Sequence, residues 1–242
     1  MARPRPADRF QQLRDAALRV FAAKGVRRTR MADIAREMKV APGSLYNWVE
    51  SKEALFHWIV SRGADDGPVA TPKRLPIRAP HPTTARKQLR RQLEAGFQLP
   101  ALQAALARRR PRDARAELGD VLFELYDLVE RARRPMTVVE RSALDMPELF
   151  ALYFVGLRRD FFARFAAYVA KRQKTRAFRR DVDPAVAARF AIESVVYFAR
   201  HRYGDADPGA GLPDDAAVRD GVVRLAVASL VPDSPRPSRR RA

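Results

Sequence analysis

Ser44, Tyr46 and Asn47 stand close together just after Pro42-Gly43, and each carries a hydroxyl or amide that can both donate and accept a hydrogen bond. Such groups suit the edges of nucleic-acid bases. The chain offers little for catalysis. Its three histidines, His57, His81 and His201, are far apart, and it has no His-x-x-x-His, no acidic pair in an apolar setting, no Gly-x-Ser-x-Gly and no phosphate-cradling glycine loop. With no cysteine, a disulfide framework, a thiolate metal site and a cysteine nucleophile are all excluded. The sequence therefore predicts neither an enzyme nor a metal site, and no cofactor.

The elements that must hold these residues follow from spacing. Thr29 or Arg30 stands where a cap belongs, and Ile34, Ala35 and Met38 then form the apolar side of a short helix with Arg36, Glu37 and Lys39 outside. Pro42 fits the first turn of a second helix, where its missing N–H costs nothing. Leu45 and Val49, four apart, anchor that helix and leave Ser44, Tyr46 and Asn47 facing outward. Ser51 is the N-cap of a third helix, with Glu53 in its first turn and Leu55, Phe56 and Ile59 as its buried face. Helix, tight turn, helix is the layout of a helix-turn-helix DNA reader. On pattern alone, residues 31 to 60 read more readily as three ordinary core helices of an all-α protein, since short helix pairs with a polar turn are common.

Residues 10 to 60 resemble the N-terminal domain of the TetR/AcrR family of transcriptional regulators. Ala16, Val20, Phe21 and Gly25 match that family's first helix, and Thr29, Ile34 and Ala35 its second. Gly43, Leu45 and Tyr46 match its Gly-x-Leu-Tyr, and Ser51, Lys52, Glu53 and Leu55 its Ser-Lys-Glu-x-Leu. Arg30, Lys39, Trp48 and Val49 depart from the pattern. Lys39 replaces a turn glycine, so either it accepts an unfavourable backbone or the turn differs. Val49 replaces a phenylalanine, leaving volume for Trp48 or Trp58 to fill. The resemblance implies a homodimeric regulator, a repressor, that binds a palindromic double-stranded DNA operator. It implies release when a small-molecule effector moves the two heads away from grooves roughly 34 Å apart. Ser44, Tyr46 and Asn47 would face the groove. Thr29, Gly43 and Lys52 would meet phosphates through hydroxyl, backbone N–H and ammonium respectively.

A formal charge of +19 over 242 residues favours polyanions. Residues 1 to 50 hold 11 Arg and Lys against 5 Asp and Glu, whereas residues 67 to 119 hold 12 against 3, so the larger excess lies outside the reading head. It reads as a solvated, arginine-rich surface, or as a seat for an anionic effector or a broad DNA footprint. A basic architectural nucleoid protein would use the same charge without an operator or effector. The N-terminus lacks an apolar signal region and no run is long enough to span a membrane, so a soluble cytoplasmic protein is expected.

The expected domains are a DNA-binding head over 1–62, a Pro/Gly-rich insertion or loose linker over 63–82, a helical effector-binding and dimerisation domain over 83–232, and a disordered basic tail over 233–242, matched by a short basic arm over 1–6. Pro100 and Pro111 break the chain, and Pro135 kinks or ends a long helix. No strand is needed: the fold is all-α. By the resemblance, helices near 83 to 145 form an effector pocket for which Phe97, Phe123, Tyr126, Met136 and Val139 are candidates, although each also reads as plain core. Glu140 and Arg141 suit either an exposed pair or a polar ligand group. The resemblance pairs the helices at 147 to 173 and 184 to 202 with a second copy. Phe154, Phe161, Phe165, Phe190 and Tyr197 are the interface candidates, against the simpler reading of a well-packed monomer core.

Overall fold

The computed structural model describes residues 6–62, 69–207, 209 and 211–232. Of the ends expected to be disordered, residues 1–6 and 233–242, Pro6 instead opens a helix and the rest lie outside the described residues, as does the first part of the expected linker. Eleven α-helices follow one another among the described residues, with no strand. They fall into two compact units that do not follow the boundary expected at residue 62: residues 1–97 with 131–158, and residues 98–130 with 159–242.

The first unit begins with α1 (Pro6–Lys24), whose Phe10, Leu13, Ala17 and Phe21 recur at three- and four-residue steps and are buried. Gly25 ends α1 in the left-handed region at φ +74°, its N–H bonded to Phe21 O at 2.8 Å. A side chain there would also press on Arg141 O, 3.2 Å from the Cβ position. Next come α2 (Met31–Glu37), α3 (Pro42–Leu45) and α4 (Lys52–Val60). Ile34, Ala35, Leu45, Val49 and Leu55 from these elements are all fully buried in one core with α1. Burying an aliphatic side chain of this size is worth about 1.5–3 kcal/mol, so the head is held by this shared core more than by its short helices.

The expected loose linker is a strap. Its described residues run from Val69 to His81, with Val69 and Ile77 buried. Ile77 N–H donates to Trp48 O at 2.8 Å, and Glu50 N–H donates to Ile77 O at 2.9 Å, a single parallel bridge across Val49. The prolines that forbid a helix here are plain in the sequence, whereas the extended pairing made by an Ile between Pro76 and Arg78 leaves no such mark. After the strap, α5 (Pro82–Ala95) carries Arg86, Lys87, Arg90 and Arg91 outward.

In the second unit, Pro100 opens α6 (Pro100–Ala107). The long α7 (Ala114–Ala143) continues through Pro135, which does not end it; its part up to Glu130 belongs to the second unit and the rest to the first. The helix expected at 147 to 173 is three elements: α8 (Pro147–Phe150) and a π-helical stretch (Ala151–Arg158) in the first unit, and α9 (Arg159–Lys174) in the second. Asp183 caps α10 (Pro184–Ala199), accepting from Ala185 N and Val186 N, and Asp214 caps α11 (Asp215–Leu230), accepting from Ala217 N at 2.9 Å. Arg172 is fully buried and forks onto Glu117 at 2.6 and 3.0 Å while its guanidinium also donates to Ala105 O. Tyr168 donates to the same carboxylate, so α6, α7 and α9 share one buried polar knot. No helix among the described residues is long and apolar enough to cross a membrane.

Candidate nucleic-acid interface

Two local devices set the α2–α3 angle. Asp33 on the first turn of α2 accepts from Arg30 N at 3.0 Å and pairs with Lys24 at 3.0 Å, and these contacts hold its carboxyl below the usual carboxylate range. At the other end Lys39 takes φ +57°, and Val40 N–H reaches back to Ala35 O at 3.0 Å. This is the left-handed helix cap that glycine usually makes, so Lys39 accepts the backbone and the turn is preserved.

Ala41 is extended and Pro42 opens α3, which is regular only to Leu45; Val49 N–H still bonds Leu45 O at 2.9 Å, so the turn to Val49 keeps a helical step. Leu45 and Val49 face inward as a pair. Tyr46 is 53% exposed, Asn47 and Gly43 are exposed, and Ser44 is half-buried on the same outer surface. A Cβ on Gly43 would meet nothing of the protein within 4 Å, so the room this glycine leaves is on the outside, where a ligand backbone can approach closely. Trp48 and Trp58 both pack partly buried against the core around Val49, and Ile77 of the strap joins that core beside them. Arg9 lies over the Trp48 ring, 5.3 Å from its centroid.

Two of the six expected DNA contacts have their side-chain groups bonded within the head. Thr29 is 1% exposed and its hydroxyl donates to Gly25 O at 2.8 Å, so it cannot reach a phosphate through that hydroxyl. Its part is to close the α1–α2 loop, a buried role that its place before a helix start does not reveal. Lys52 Nζ donates to Arg27 O at 2.8 Å and to Thr29 O at 2.9 Å, so the ammonium clasps that same loop. Ser142 and Asp145 complete the clasp: Val26 N–H donates to Ser142 Oγ at 3.2 Å, and Arg28 pairs with Asp145 at 2.6 Å. Neither is legible in the sequence, because no periodicity joins residues so far apart.

The remaining candidates divide. Phe97, Met136 and Val139 belong to the first unit and Phe123 and Tyr126 to the second. Val139 and Tyr126 are buried core; Phe97 stacks edge-on against Tyr153 at 5.6 Å; Arg219 covers Phe123 at 4.4 Å. Glu140 accepts from Tyr153 OH at 2.8 Å. Of the interface candidates, Phe161 and Phe165 are buried within their own unit and cannot meet a second copy, which corrects the expectation for α9. Phe154 packs partly buried against the core of the first unit, between Phe150 and Tyr153 at 5.0 Å each. Val186, Phe190 and Tyr197 on α10 are 60, 55 and 45% exposed and share one face. Among the described residues no group of three or more His, Asp or Glu could hold a metal ion.

The model of the bacterial regulatory proteins of the tetR family matches residues 13–59, the stretch that builds this head. Comparison with curated proteins gives no match. Among solved structures, "Probable transcriptional regulatory protein RHA5900" aligns over 93% of this chain and 99% of its own, with a TM-score of 0.57 and 21% identity. SCO3833, a TetR-family regulator from Streptomyces coelicolor A3, aligns over 90% of each chain with a TM-score of 0.53 and 20% identity. AibR in complex with isovaleryl coenzyme A and operator DNA aligns over 90% of this chain and 97% of its own, with a TM-score of 0.53 and 18% identity. The fold of the described chain is thus shared with these three structures. The head, over residues 13–59, is thus similar to the tetR family of bacterial regulatory proteins.

Proposed function

We propose that this protein is a homodimeric cytoplasmic repressor that reads a palindromic operator with α3 and leaves it when a small-molecule effector binds. The observation that carries the reading is the outward surface of Gly43, Ser44, Tyr46 and Asn47, held from beneath by fully buried Leu45 and Val49. The exposed apolar face of α10 supports self-association, since Val186, Phe190 and Tyr197 set three large apolar side chains side by side in solvent, which a lone chain gains nothing by doing. A two-fold protein calls for a two-fold site.

The second unit supports an anionic effector. A cleft of about 500 Å³ at the α6–α7 turn is lined by Arg108, Arg110 and Arg112 together with Asp113, Glu117 and Asp120. Glu117 is already committed to Arg172 and Arg108, and Asp113 to capping α7, which leaves Arg110 and Arg112 outnumbering Asp120 in the outward charge. AibR is seen with isovaleryl coenzyme A, and the phosphates of an acyl-coenzyme A are a chemistry that such arginines match.

Selection of bound duplexes from a random pool tests the proposal. A palindromic consensus is expected, and Ser44→Ala and Asn47→Ala should each change the preferred bases, because a base-edge contact is worth about 1–3 kcal/mol of discrimination. No enrichment of any sequence, or equal losses on selected and scrambled DNA for both variants, would refute the reading.

A further inference from the structure

We propose that the strap of residues 69–81 is a second DNA-contacting element, with Lys73, Arg74 and Arg78 gripping the phosphate backbone beside the groove that α3 enters. This rests on the DNA-reading function proposed above and explains part of the charge excess outside the helix-turn-helix.

The strap is fixed. Ile77 donates to Trp48 O and accepts from Glu50 N–H, so both hydrogen-bonding groups of one residue are committed to the segment that ends the recognition turn. Its side chain is buried, and Val69 anchors the start of the described strap. The pairing is parallel, so the strap runs in the same direction as Trp48 to Glu50 and Arg78 leaves beside Glu50 towards the start of α4. Tyr46 and Asn47, the exposed residues of the reading surface, precede the bridge by only a few residues. A major groove is about 12 Å wide between its phosphate walls, so a segment tied this close to groove-facing side chains lies within arginine and lysine reach of one wall.

Its charge is uncommitted among the described residues. Lys73, Arg74 and Arg78 are exposed, and no described carboxylate lies within ion-pairing distance of any of them. Residues 67 to 93 contain no Asp or Glu at all. An ordinary solvated surface mixes both signs. Three cations held on an anchored backbone lose less conformational entropy on meeting a phosphate than the same residues on a free chain. Because they touch phosphates, they add affinity without adding sequence information.

The test uses the full-length protein and the duplex it selects from a random pool. The strap variant Lys73→Gln/Arg74→Gln/Arg78→Gln keeps Ile77, so helicity and melting temperature should match the wild type. Its selected sequence should be unchanged. Its affinity at about 150 mM salt should fall by about tenfold or more, and the slope of log K against log salt should flatten by about 0.9 for each phosphate no longer neutralised. Arg74→Gln and Arg78→Gln alone should each give a part of that change. A control of equal charge, Arg109→Gln/Lys174→Gln/Arg180→Gln, should move the slope far less. An unchanged slope in the strap variant, or an equal loss in the control, would overturn the inference. Failure of the wild type to select any duplex would instead sink the DNA-reading function itself, so the two are separable.

Discussion

At Lys39 the backbone holds φ +57° so that Val40 can bond back to Ala35 and close α2. A left-handed non-glycine residue costs about 1–2 kcal/mol, and glycine gives back about 0.5–1 kcal/mol through its greater freedom in the unfolded chain. Lys39→Gly should therefore raise stability by about 0.5–1 kcal/mol, read as a melting temperature a few degrees higher; a lower one would show that the turn is not strained. Much at this scale was legible from the sequence. The pair Leu45 and Val49 and the caps Ser51 and Asp183 obey local rules of spacing and hydrogen bonding, and the structure follows them. Thr29 and Lys52 were not legible in the same way. Their motif positions fixed where they stand along the chain, while the loop carbonyls of Gly25 and Arg27 that occupy them became visible only once α1, α2 and α4 were packed.

Among the elements, α6, α7 and α9 meet at Arg172, which no solvent reaches. Its fork joins Glu117 of α7, while its donation to Ala105 O caps the C-terminal end of α6, where Lys171 adds a bond to Leu106 O at 2.5 Å. Removing one partner of a buried pair leaves the other charge uncompensated, at about 3–5 kcal/mol. Arg172→Ala should lose about that much in denaturant unfolding, whereas the exposed neighbour Lys174→Ala should lose almost nothing. Equal, small losses would mean the knot is solvated. Helix periodicity foretold a helix over this stretch but not that Phe161 and Phe165 lie in the core of their own unit instead of at an interface, and a single arginine among many in this chain carries no mark of burial. The same limit explains the broken run at 147 to 173. Apolar spacing of three and four residues reads as one helix, and the π-helical stretch over Ala151–Arg158 changes hydrogen bonding without changing that spacing enough to show.

For the whole molecule, the expected interface is divided by burial: Phe165 belongs to its own unit's core, and Phe190 to the surface. Phe190→Asp should yield a folded monomer by light scattering, with operator affinity reduced because two heads no longer act together, while Phe165→Asp should unfold the chain by burying an unpaired carboxylate. A dimeric Phe190→Asp protein would place self-association away from α10. The strap carries one more consequence, for how such a regulator changes over generations. It is docked through the amide and carbonyl of Ile77, groups that every residue but proline possesses, and not through the side chains of Lys73, Arg74 or Arg78. Those three positions can therefore drift without refolding the head. Under the proposed contacts, grip strength and sequence choice would be separately inheritable traits: mutations in the strap would retune how long the protein stays on DNA, and mutations at Ser44, Tyr46 and Asn47 would decide where.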